Sequence, residues 1–191
     1  PVEKTALAEA EVEYSDHKSV TIFARFKAVS CPLSSLQGSS FVIWTTTPWT
    51  IPGNRAMACG ADIAYSALKI TDVAEDSLAE IGEVICLADE LKYSVFAETG
   101  IVSADVVSRF TGADVAGSVM SHPLSAHGYD HEVPMFLADY VTTEQGTGFV
   151  HIAPGHGPED YDLAYLQHGV EVPDTVGEDG VISEHLPLFG G

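Results

Sequence analysis

Residues 44–56 have the sequence WTTTPWTIPGNRA and mark the point where an apolar strand must give way to a polar loop. Residues 41–46 are mostly β-branched or aromatic and predict a buried strand that leads into this stretch. Pro48 and Pro52 cannot donate hydrogen bonds to a sheet, so the strand must end in an irregular loop. Such a loop presents threonine hydroxyls and free backbone N–H groups that can bind a small polar ligand. A threonine-rich strand end with purely structural prolines would show the same pattern.

Short apolar runs separated by glycine, proline and polar turns predict further strands. Those with a clear pattern lie at residues 11–29, 64–70, 133–143 and 147–153, and residues 31–40 between the first run and the threonine stretch read as a loop. The last two runs are joined at residues 144–146 and predict a hairpin-like pair. Residues 99–124 are ambiguous between strand and helix, and we interpret them as two short strands around a turn.

Two segments have helical patterns. Apolar side chains recur at helical spacing in residues 85–97, and Gly100 predicts the end of that helix. Gly157-Pro158 predicts the start of a second helix, because proline fits the first helical position and acidic residues follow it. Many short strands and few helices indicate an α+β fold with a barrel-like, mostly antiparallel sheet and a few peripheral helices.

The composition indicates one compact domain outside any membrane. The 191 residues are 46% apolar with a mean hydropathy of +0.13, and the apolar runs are short. Three cysteines without a C-x-x-C pair predict neither a disulfide framework nor a zinc site, and they suit a reducing cytoplasm. The N-terminus has no initiator Met and no signal sequence, so we expect residues 1–191 to be one domain excised from a longer protein.

The charge balance is strongly acidic. The net charge is −20, with 28 acidic residues against 8 Lys and Arg, and nothing basic follows Arg109. A free-standing nucleic-acid-binding protein normally carries a basic surface, because phosphate contacts supply much of its affinity. Composition alone therefore argues against a nucleic-acid role.

His151, His156 and Asp160 are the candidate chemical groups of the C-terminal third. They could form a metal-ligand set, but they lie on different predicted elements, so their spacing does not force them together. Asp160 could instead satisfy free N–H groups at the helix start, and His151 could be an ordinary half-buried strand residue. The remaining histidines are expected at the surface: His17, His122, His127, His131, His168 and His185.

The threonine-rich stretch resembles that of the editing domain of isoleucyl-tRNA synthetases. Two further stretches agree, PVEKTALAEAEVEY at residues 1–14 and GTGFVHIAPGHGPEDYDLAYLQHGVEVPDTVGEDG at residues 146–180. The related valyl and leucyl enzymes have an Arg before the proline and an acidic residue after it, where this chain has Thr47 and Trp49. Gly53 and Phe149 stand where the family usually has Ala, and Phe149 adds bulk on the same strand face as His151.

The resemblance implies hydrolytic proofreading of misacylated tRNA. The domain would remove valine wrongly attached to isoleucine tRNA, with valyl-adenylate as a second candidate substrate. Thr45, Thr46 and Thr47 would be catalytic residues that, together with Asn54, hold the terminal adenosine, the ester and the attacking water. Trp49 is expected to bind the substrate as well.

The resemblance also assigns roles to the two groups of the C-terminal third. Asp160 would hold the α-ammonium of the misattached amino acid, and it would be both a catalytic and a substrate-binding residue. His151 would line the side-chain pocket and make it too small for isoleucine. The chain has no G-x-S-x-G motif, so water is the expected nucleophile, and without HIGH and KMSKS motifs it cannot activate amino acids.

The expected partners are the 3′ end of aminoacylated isoleucine tRNA, its valine moiety and the remainder of the parent synthetase. Residues 1–30 and 181–191 would connect the domain to that synthetase. No metal, cofactor or membrane is expected. Two alternatives stay open: a metal-dependent hydrolase built on His151, His156 and Asp160, and a non-catalytic acidic module whose Trp44 and Trp49 dock a partner.

Overall fold

A computed structural model describes residues 19–190 of the chain, so the N-terminal part of the resemblance and His17 lie outside the described residues. The described strands are β1 (Ile22–Ser30), β2 (Ser40–Thr45), β3 (Ala56–Cys59), β4 (Ala64–Val73), β5 (Val84–Ala88), β6 (Ile101–Thr111), β7 (Val119–Ser121), β8 (Glu132–Leu137) and β9 (Phe149–Ile152). The α-helices are α1 (Lys92–Thr99), α2 (Gly112–Val115) and α3 (Pro158–Tyr161). Short 3₁₀ turns lie at Ser34–Leu36, Pro48–Gly53 and Ser125–His127, and a π-helix follows α3 at Asp162–Gln167.

The described strands form one mixed sheet in the order β6-β4-β5-β2-β1-β7-β8-β3-β9. The β2/β5 and β3/β8 pairs are parallel, and the other neighbours are antiparallel. The predicted α+β fold with a mostly antiparallel sheet is therefore confirmed. The edge strands β6 and β9 are not paired with each other in residues 19–190, so the sheet is open and not a closed barrel.

Aromatic packing brings the edge strand β9 against the middle of the sheet. Phe149 of β9 packs edge-on against Phe41 of β2, with ring centroids 5.1 Å apart, and stacks on Tyr65 of β4 at 4.4 Å. All three rings are buried in the largest apolar cluster. The contact places β9 beside β2, and the loop that follows β2 therefore lies next to β9.

The strand before this loop is confirmed. Predicted at residues 41–46, it is observed as β2, and it ends before the turn that Pro48 begins. The sequence does not predict β3, since Ala-Met-Ala-Cys contains no β-branched or aromatic residue. β3 nevertheless starts two residues after Asn54 and returns the chain to the sheet.

The predicted helix at residues 85–97 is wrong in its first half. Val84–Ala88 is strand β5, which pairs with β2 through Ser40 and Ile85 and with β4 on its other side. Two neighbouring strands satisfy its backbone groups, and this pairing overrides the local helical spacing. Helix α1 begins only at Lys92, and Gly100 ends it with a φ of 72°, as predicted.

The predicted hairpin is also wrong, although both of its strands exist. β3 lies between β8 and β9, parallel to the first and antiparallel to the second. Residues 99–124 contain one strand of 11 residues, β6, and the three-residue β7 in place of two short strands around a turn. The predicted helix start at Gly157-Pro158 is confirmed by α3.

Both predicted connecting segments contribute to the folded domain where they are described. Ile22–Ser30 of the segment 1–30 is strand β1, between β2 and β7 in the sheet. In the segment 181–191, Leu186 is buried and Pro187 accepts a hydrogen bond from the Tyr129 hydroxyl at 2.8 Å. The rest of the domain assignment stays a prediction. Within residues 19–190, the helices are all too short or too polar to cross a membrane.

Candidate functional site

The threonine loop, residues 45–54, is held by its own hydroxyls. The Thr45 hydroxyl oxygen accepts the backbone N–H of Thr47 at 3.1 Å and lies 3.2 Å from the Thr47 hydroxyl. The Thr50 hydroxyl donates to the Thr47 carbonyl at 2.8 Å. Serine and threonine hydroxyls commonly stabilise turns in this way, so the loop has one defined shape without sheet hydrogen bonds.

His151 reaches the threonine loop from β9. The strand pairs antiparallel with β3, and His151 lies opposite Met57, just after the loop returns to the sheet. Its Nε2 is 3.1 Å from the Thr50 hydroxyl, and its Nδ1 is 3.5 Å from the Asn54 side-chain nitrogen. The imidazole is therefore flanked on both nitrogens by side chains of the loop.

The hydrogen bonds assign the protonation state of His151. The single Thr50 hydroxyl proton goes to the Thr47 carbonyl, so the hydroxyl oxygen accepts a bond from the Nε2–H of His151. The Nδ1 atom then lacks a proton and faces the Asn54 amide, which also donates to the Ala56 carbonyl at 2.8 Å. His151 is a neutral imidazole with both nitrogens engaged.

Electrostatics agrees with a neutral imidazole. Burial and, to a smaller extent, the nearby His156 lower the pKa of His151 to about 4. Such a ring is a poor proton acceptor at neutral pH, because Nε2 already carries a proton and Nδ1 is occupied. His151, which is 8% exposed, is thus suited to be a fixed wall.

One buried acceptor in this region has no partner. Asn54 is fully buried, and its Oδ1 accepts no hydrogen bond from the residues that the structure describes. Leaving a buried carbonyl oxygen unsatisfied is costly, so this atom is suited to a donor group from a ligand or an ordered water.

Asp160 lies in the first turn of α3, at the end of a second segment, residues 153–160, that follows β9 and that we call the aspartate loop. Its Oδ2 accepts the backbone N–H of Ala153 at 2.8 Å, two residues beyond His151. Its hydrogen bond goes to Ala153 and not to a free N–H of α3, although its place in the first turn of α3 does suit the helix dipole. Burial raises the pKa of Asp160 and Glu159 adds to this, while the bond from Ala153 opposes it.

The side chain of His156 makes its hydrogen bond to Thr175 and not to His151 or Asp160. Its Nε2 is 2.7 Å from the Thr175 hydroxyl, and a Cβ added to Gly53 would meet the same nitrogen at 3.0 Å. In the described part of the chain, no three His, Cys, Asp or Glu side chains come together to hold a metal ion. The metal-hydrolase alternative therefore has no ligand set in residues 19–190.

The other predicted site residues differ in exposure. Trp49 is 53% exposed on the threonine loop and Thr46 is also exposed, whereas Thr45 is buried at the strand end. Trp44 is only partly buried, but its indole nitrogen is covered. Of the two tryptophans of the docking alternative, Trp49 is thus the one that presents a large surface.

Two residues at this site were not predicted. Thr50 makes the bond to His151, although it belongs to the same threonine-rich stretch and could have been considered with its neighbours. His122 was expected at the surface, but it is 1% exposed and binds the Ile51 carbonyl. His122 lies between the strand-like Val-Met-Ser and a proline, and this local sequence gives no signal of burial. Its partner, Ile51, is 71 residues away in the chain.

Phe149 belongs to the core and not to the site surface. Alternation does place it on the His151 side of β9, as expected, but the ring is 2% exposed and is enclosed by Phe41 and Tyr65. A groove of about 700 Å³ lies elsewhere, between β1 and the end of α1, and none of the candidate site residues lines it. The candidate site is therefore identified by the hydrogen bonds among its side chains and not by this groove.

Curated relatives match the chain from end to end. Isoleucine–tRNA ligases from Gluconobacter oxydans (strain 621H) and Rhodopseudomonas palustris (strain ATCC BAA-98 / CGA009) are 45% and 47% identical over 193 and 201 residues, covering all of this chain. The enzyme from Thermotoga maritima is 39% identical over 188 residues and covers 98% of it. The chain belongs to the isoleucine–tRNA ligase family. It spans about a fifth of the length of these relatives, 18–20% of each.

Solved structures place this segment of the isoleucine–tRNA ligase family in a known fold. The crystal structure of GlLeuRS-CP1 has a TM-score of 0.59, is 17% identical, and is matched over 79% of this chain and 63% of its own. The editing domain of the P. knowlesi cytosolic leucyl-tRNA synthetase has a TM-score of 0.57 at 14% identity, with coverages of 78% and 63%. The likeness shows the editing-domain fold. No protein-family model matches the chain.

Proposed function

We propose that this chain hydrolyses valine wrongly esterified to isoleucine tRNA, with valyl-adenylate as a second substrate. The observation that carries the proposal is the neutral, doubly hydrogen-bonded His151 beside the threonine loop. One methylene contributes only ~1–3 kcal/mol to discrimination, a magnitude taken from this family of enzymes and not from the structure. A second site that destroys the smaller product is therefore needed, and a rigid wall is the means to exclude the larger one.

The two loops supply complementary functions in this proposal. Asp160 binds the α-ammonium through its carboxylate, since Oδ1 accepts no hydrogen bond from the described residues and remains free for a ligand. A charge-assisted bond at the amino group fixes the ester carbonyl relative to the loop hydroxyls. Thr45, Thr46 and Thr47 hold the attacking water and the developing oxyanion, and Asn54 and Trp49 contact the substrate.

The partners follow from the same proposal. The chain binds the aminoacylated 3′ end of isoleucine tRNA and leaves the rest of the tRNA to the remainder of a synthetase in the cytoplasm. The net charge of −20 repels phosphate, so we expect weak binding of tRNA by the 191-residue chain alone, with a shallow dependence on salt.

Deacylation tests the proposal directly. The 191-residue chain is incubated with valyl- and isoleucyl-tRNA, with and without exhaustive chelation, and the release of each amino acid is measured. We expect valine release that chelation leaves unchanged. Activity that chelation removes and zinc restores would favour a metallohydrolase, and absence of hydrolysis together with binding of a protein partner would favour the acidic docking module with Trp49 exposed.

A further inference from the structure

His122 is buried between the threonine loop and the core. It directly follows β7, is 1% exposed, and stacks on Tyr129 with ring centroids 5.0 Å apart. The edge of Phe26 lies against it at 6.1 Å. An imidazole in such apolar surroundings must satisfy both of its nitrogens within the protein.

Its two bonds fix its tautomer. The Nδ1 atom accepts the backbone N–H of Leu124 at 3.1 Å, so the proton is on Nε2, which donates to the Ile51 carbonyl at 2.9 Å. Burial lowers the pKa of His122, and the bond to Ile51 opposes this. With smaller contributions from the neighbouring His131, Arg55 and His151, the pKa falls to about 4. The ring is a neutral donor aimed at one carbonyl.

The Ile51 carbonyl is the closing point of the threonine loop. It also accepts the backbone N–H of Asn54 at 2.9 Å, which completes the 3₁₀ turn Pro48–Gly53. Thr50 precedes Ile51 and Asn54 ends the turn, and these two residues contact the two nitrogens of His151. The Ile51 carbonyl therefore bonds the backbone of one support of the His151 ring, Asn54, and directly follows the other, Thr50.

The Asn54 carbonyl, at the end of the turn, is also held by side chains. His131 Nε2 is 2.9 Å from the Asn54 carbonyl, and Arg55 donates to it at 2.7 Å. The rings of His122 and His131 lie 5.1 Å apart. Of this group, His122 is the buried member and the one bonded to the closing carbonyl of the turn.

We propose that His122 is a positioning residue for substrate discrimination: its Nε2–H fixes the Ile51 carbonyl, and thereby holds Thr50 and Asn54 against His151. The proposal rests on the proposed editing function. Loss of the donor should leave the hydroxyls of Thr45 and Thr47 and the Asp160 carboxylate in place and should loosen the His151 ring. Discrimination should then fall more than the rate of valine removal.

A pair of variants tests the proposal in the 191-residue chain. His122→Leu removes the donor, and His122→Gln keeps an N–H donor and an acceptor in similar positions. We expect His122→Leu to lower the ratio of kcat/KM for valyl-tRNA to that for isoleucyl-tRNA by roughly tenfold or more, and His122→Gln to restore most of it. Met120→Ala, which removes a fully buried side chain two residues before His122 and leaves both hydrogen bonds of His122 available, is the control for lost stability and should keep the ratio.

A second measurement does not depend on catalysis. Nitrogen-15 NMR of the imidazoles in the free chain should show His122 as the Nε2–H tautomer, and the His151 signals should shift in His122→Leu and return in His122→Gln. Unshifted His151 signals, or an equal loss of the ratio in Met120→Ala, would overturn the positioning role. Absence of deacylation in the wild type would overturn the proposed function alone, since the NMR result stands without it.

Discussion

The threonine loop and the aspartate loop are anchored on the same strand but are built in opposite ways. The threonine loop meets β9 at His151 through buried side chains that bind one another. The aspartate loop directly continues β9. Its Asp160 accepts the backbone N–H of Ala153 at the start of the same loop, and its His156 is exposed. A buried, mutually bonded region is suited to excluding a group, whereas a carboxylate with a free oxygen is suited to capturing one.

This difference makes the two loops separable by mutation. A change in the capturing loop should reduce hydrolysis of every substrate, because all aminoacyl esters carry the same α-ammonium. A change at His151 or at its supports Thr50 and Asn54 should alter which side chains are accepted, because in the proposed function these residues shape the pocket and do not hold the attacking water. If variants of both loops changed rate and selectivity together, the proposed division of roles between the loops would be wrong.

The largest expected effect is that of Asp160→Ala. The variant removes the proposed counter-charge of the ammonium, and we expect hydrolysis of valyl-tRNA to fall by more than about 100-fold, since misplacement of the reacting groups is this costly. The measurement is single-turnover deacylation by wild type and variant, with circular dichroism to show that both are folded.

Glu159→Ala is the matched control for charge. Glu159 is adjacent to Asp160 and exposed. Its removal changes the net charge by the same amount but leaves the bond between Asp160 and Ala153 in place. We expect near wild-type deacylation from it. A folded Asp160→Ala that also works at that rate would remove Asp160 from the mechanism.

We expect acid to lower the free energy of unfolding through His151 and His122. The pKa values of His151 and His122 are lowered in the folded state from 6.5 to about 4, so the unfolded chain binds protons between these values and the folded chain does not. The free energy of unfolding should therefore fall as the pH drops from 6.5 to 4, by roughly 3 kcal/mol per histidine at most. Asp160 has the opposite sign, because its pKa is raised on folding.

Urea unfolding at a series of pH values measures this dependence. His122→Gln should flatten the slope by about one proton, since it removes one of the two histidines whose pKa is lowered to about 4 on folding. A stability that is constant from pH 6.5 to 4 in the wild type would show that these imidazoles are not held neutral by the fold.

A smaller effect is expected from Phe149→Leu. Phe149 faces the same side of β9 as His151 but packs on Phe41 and Tyr65, so the change should cost roughly 1 kcal/mol of stability and leave the valyl-to-isoleucyl ratio unchanged. Thermal unfolding and the two deacylation rates measure this. A relaxed ratio would mean that core packing sets the wall as much as His151 does.

Gly53→Ala should have the smallest effect. The added Cβ would meet the His156 Nε2 at 3.0 Å and the Thr175 hydroxyl at 3.4 Å, and the flexible histidine ring can move aside. Gly53 is buried, but the contacts made by the new Cβ need only a small adjustment, so we expect a change in deacylation rate of less than roughly threefold. A tenfold loss would show that His156 couples the two loops more tightly than its single bond to Thr175 indicates.

Local chemistry made parts of the fold predictable. The end of β2 before Pro48, the stop at Gly100 and the helix start at Gly157-Pro158 depend on residues whose backbone restrictions act in place. Strand β5 and the position of β3 between β8 and β9 depend on pairing with distant strands, which no local pattern encodes.

The same limit applies to the candidate site. The resemblance pointed to Thr45, Thr47, Asn54 and His151, and the structure joins them in one hydrogen-bonded group through Thr50. The bonds that define the protonation of His151 and the role of His122 span 101 and 71 residues of sequence. Both bonds depend on the fold, which brings β9 and the end of β7 beside the threonine loop.

The most direct test of the central claim is the deacylation of valyl- and isoleucyl-tRNA by wild type and His151→Ala. A neutral imidazole that acts as a wall contributes no proton transfer, so its removal should open the pocket and leave valine hydrolysis largely intact. We predict that His151→Ala hydrolyses isoleucyl-tRNA, which the wild type spares, while still hydrolysing valyl-tRNA. Loss of both activities in a folded variant would make His151 a catalytic group, and an unchanged ratio would make it a structural one. Either result would contradict the account.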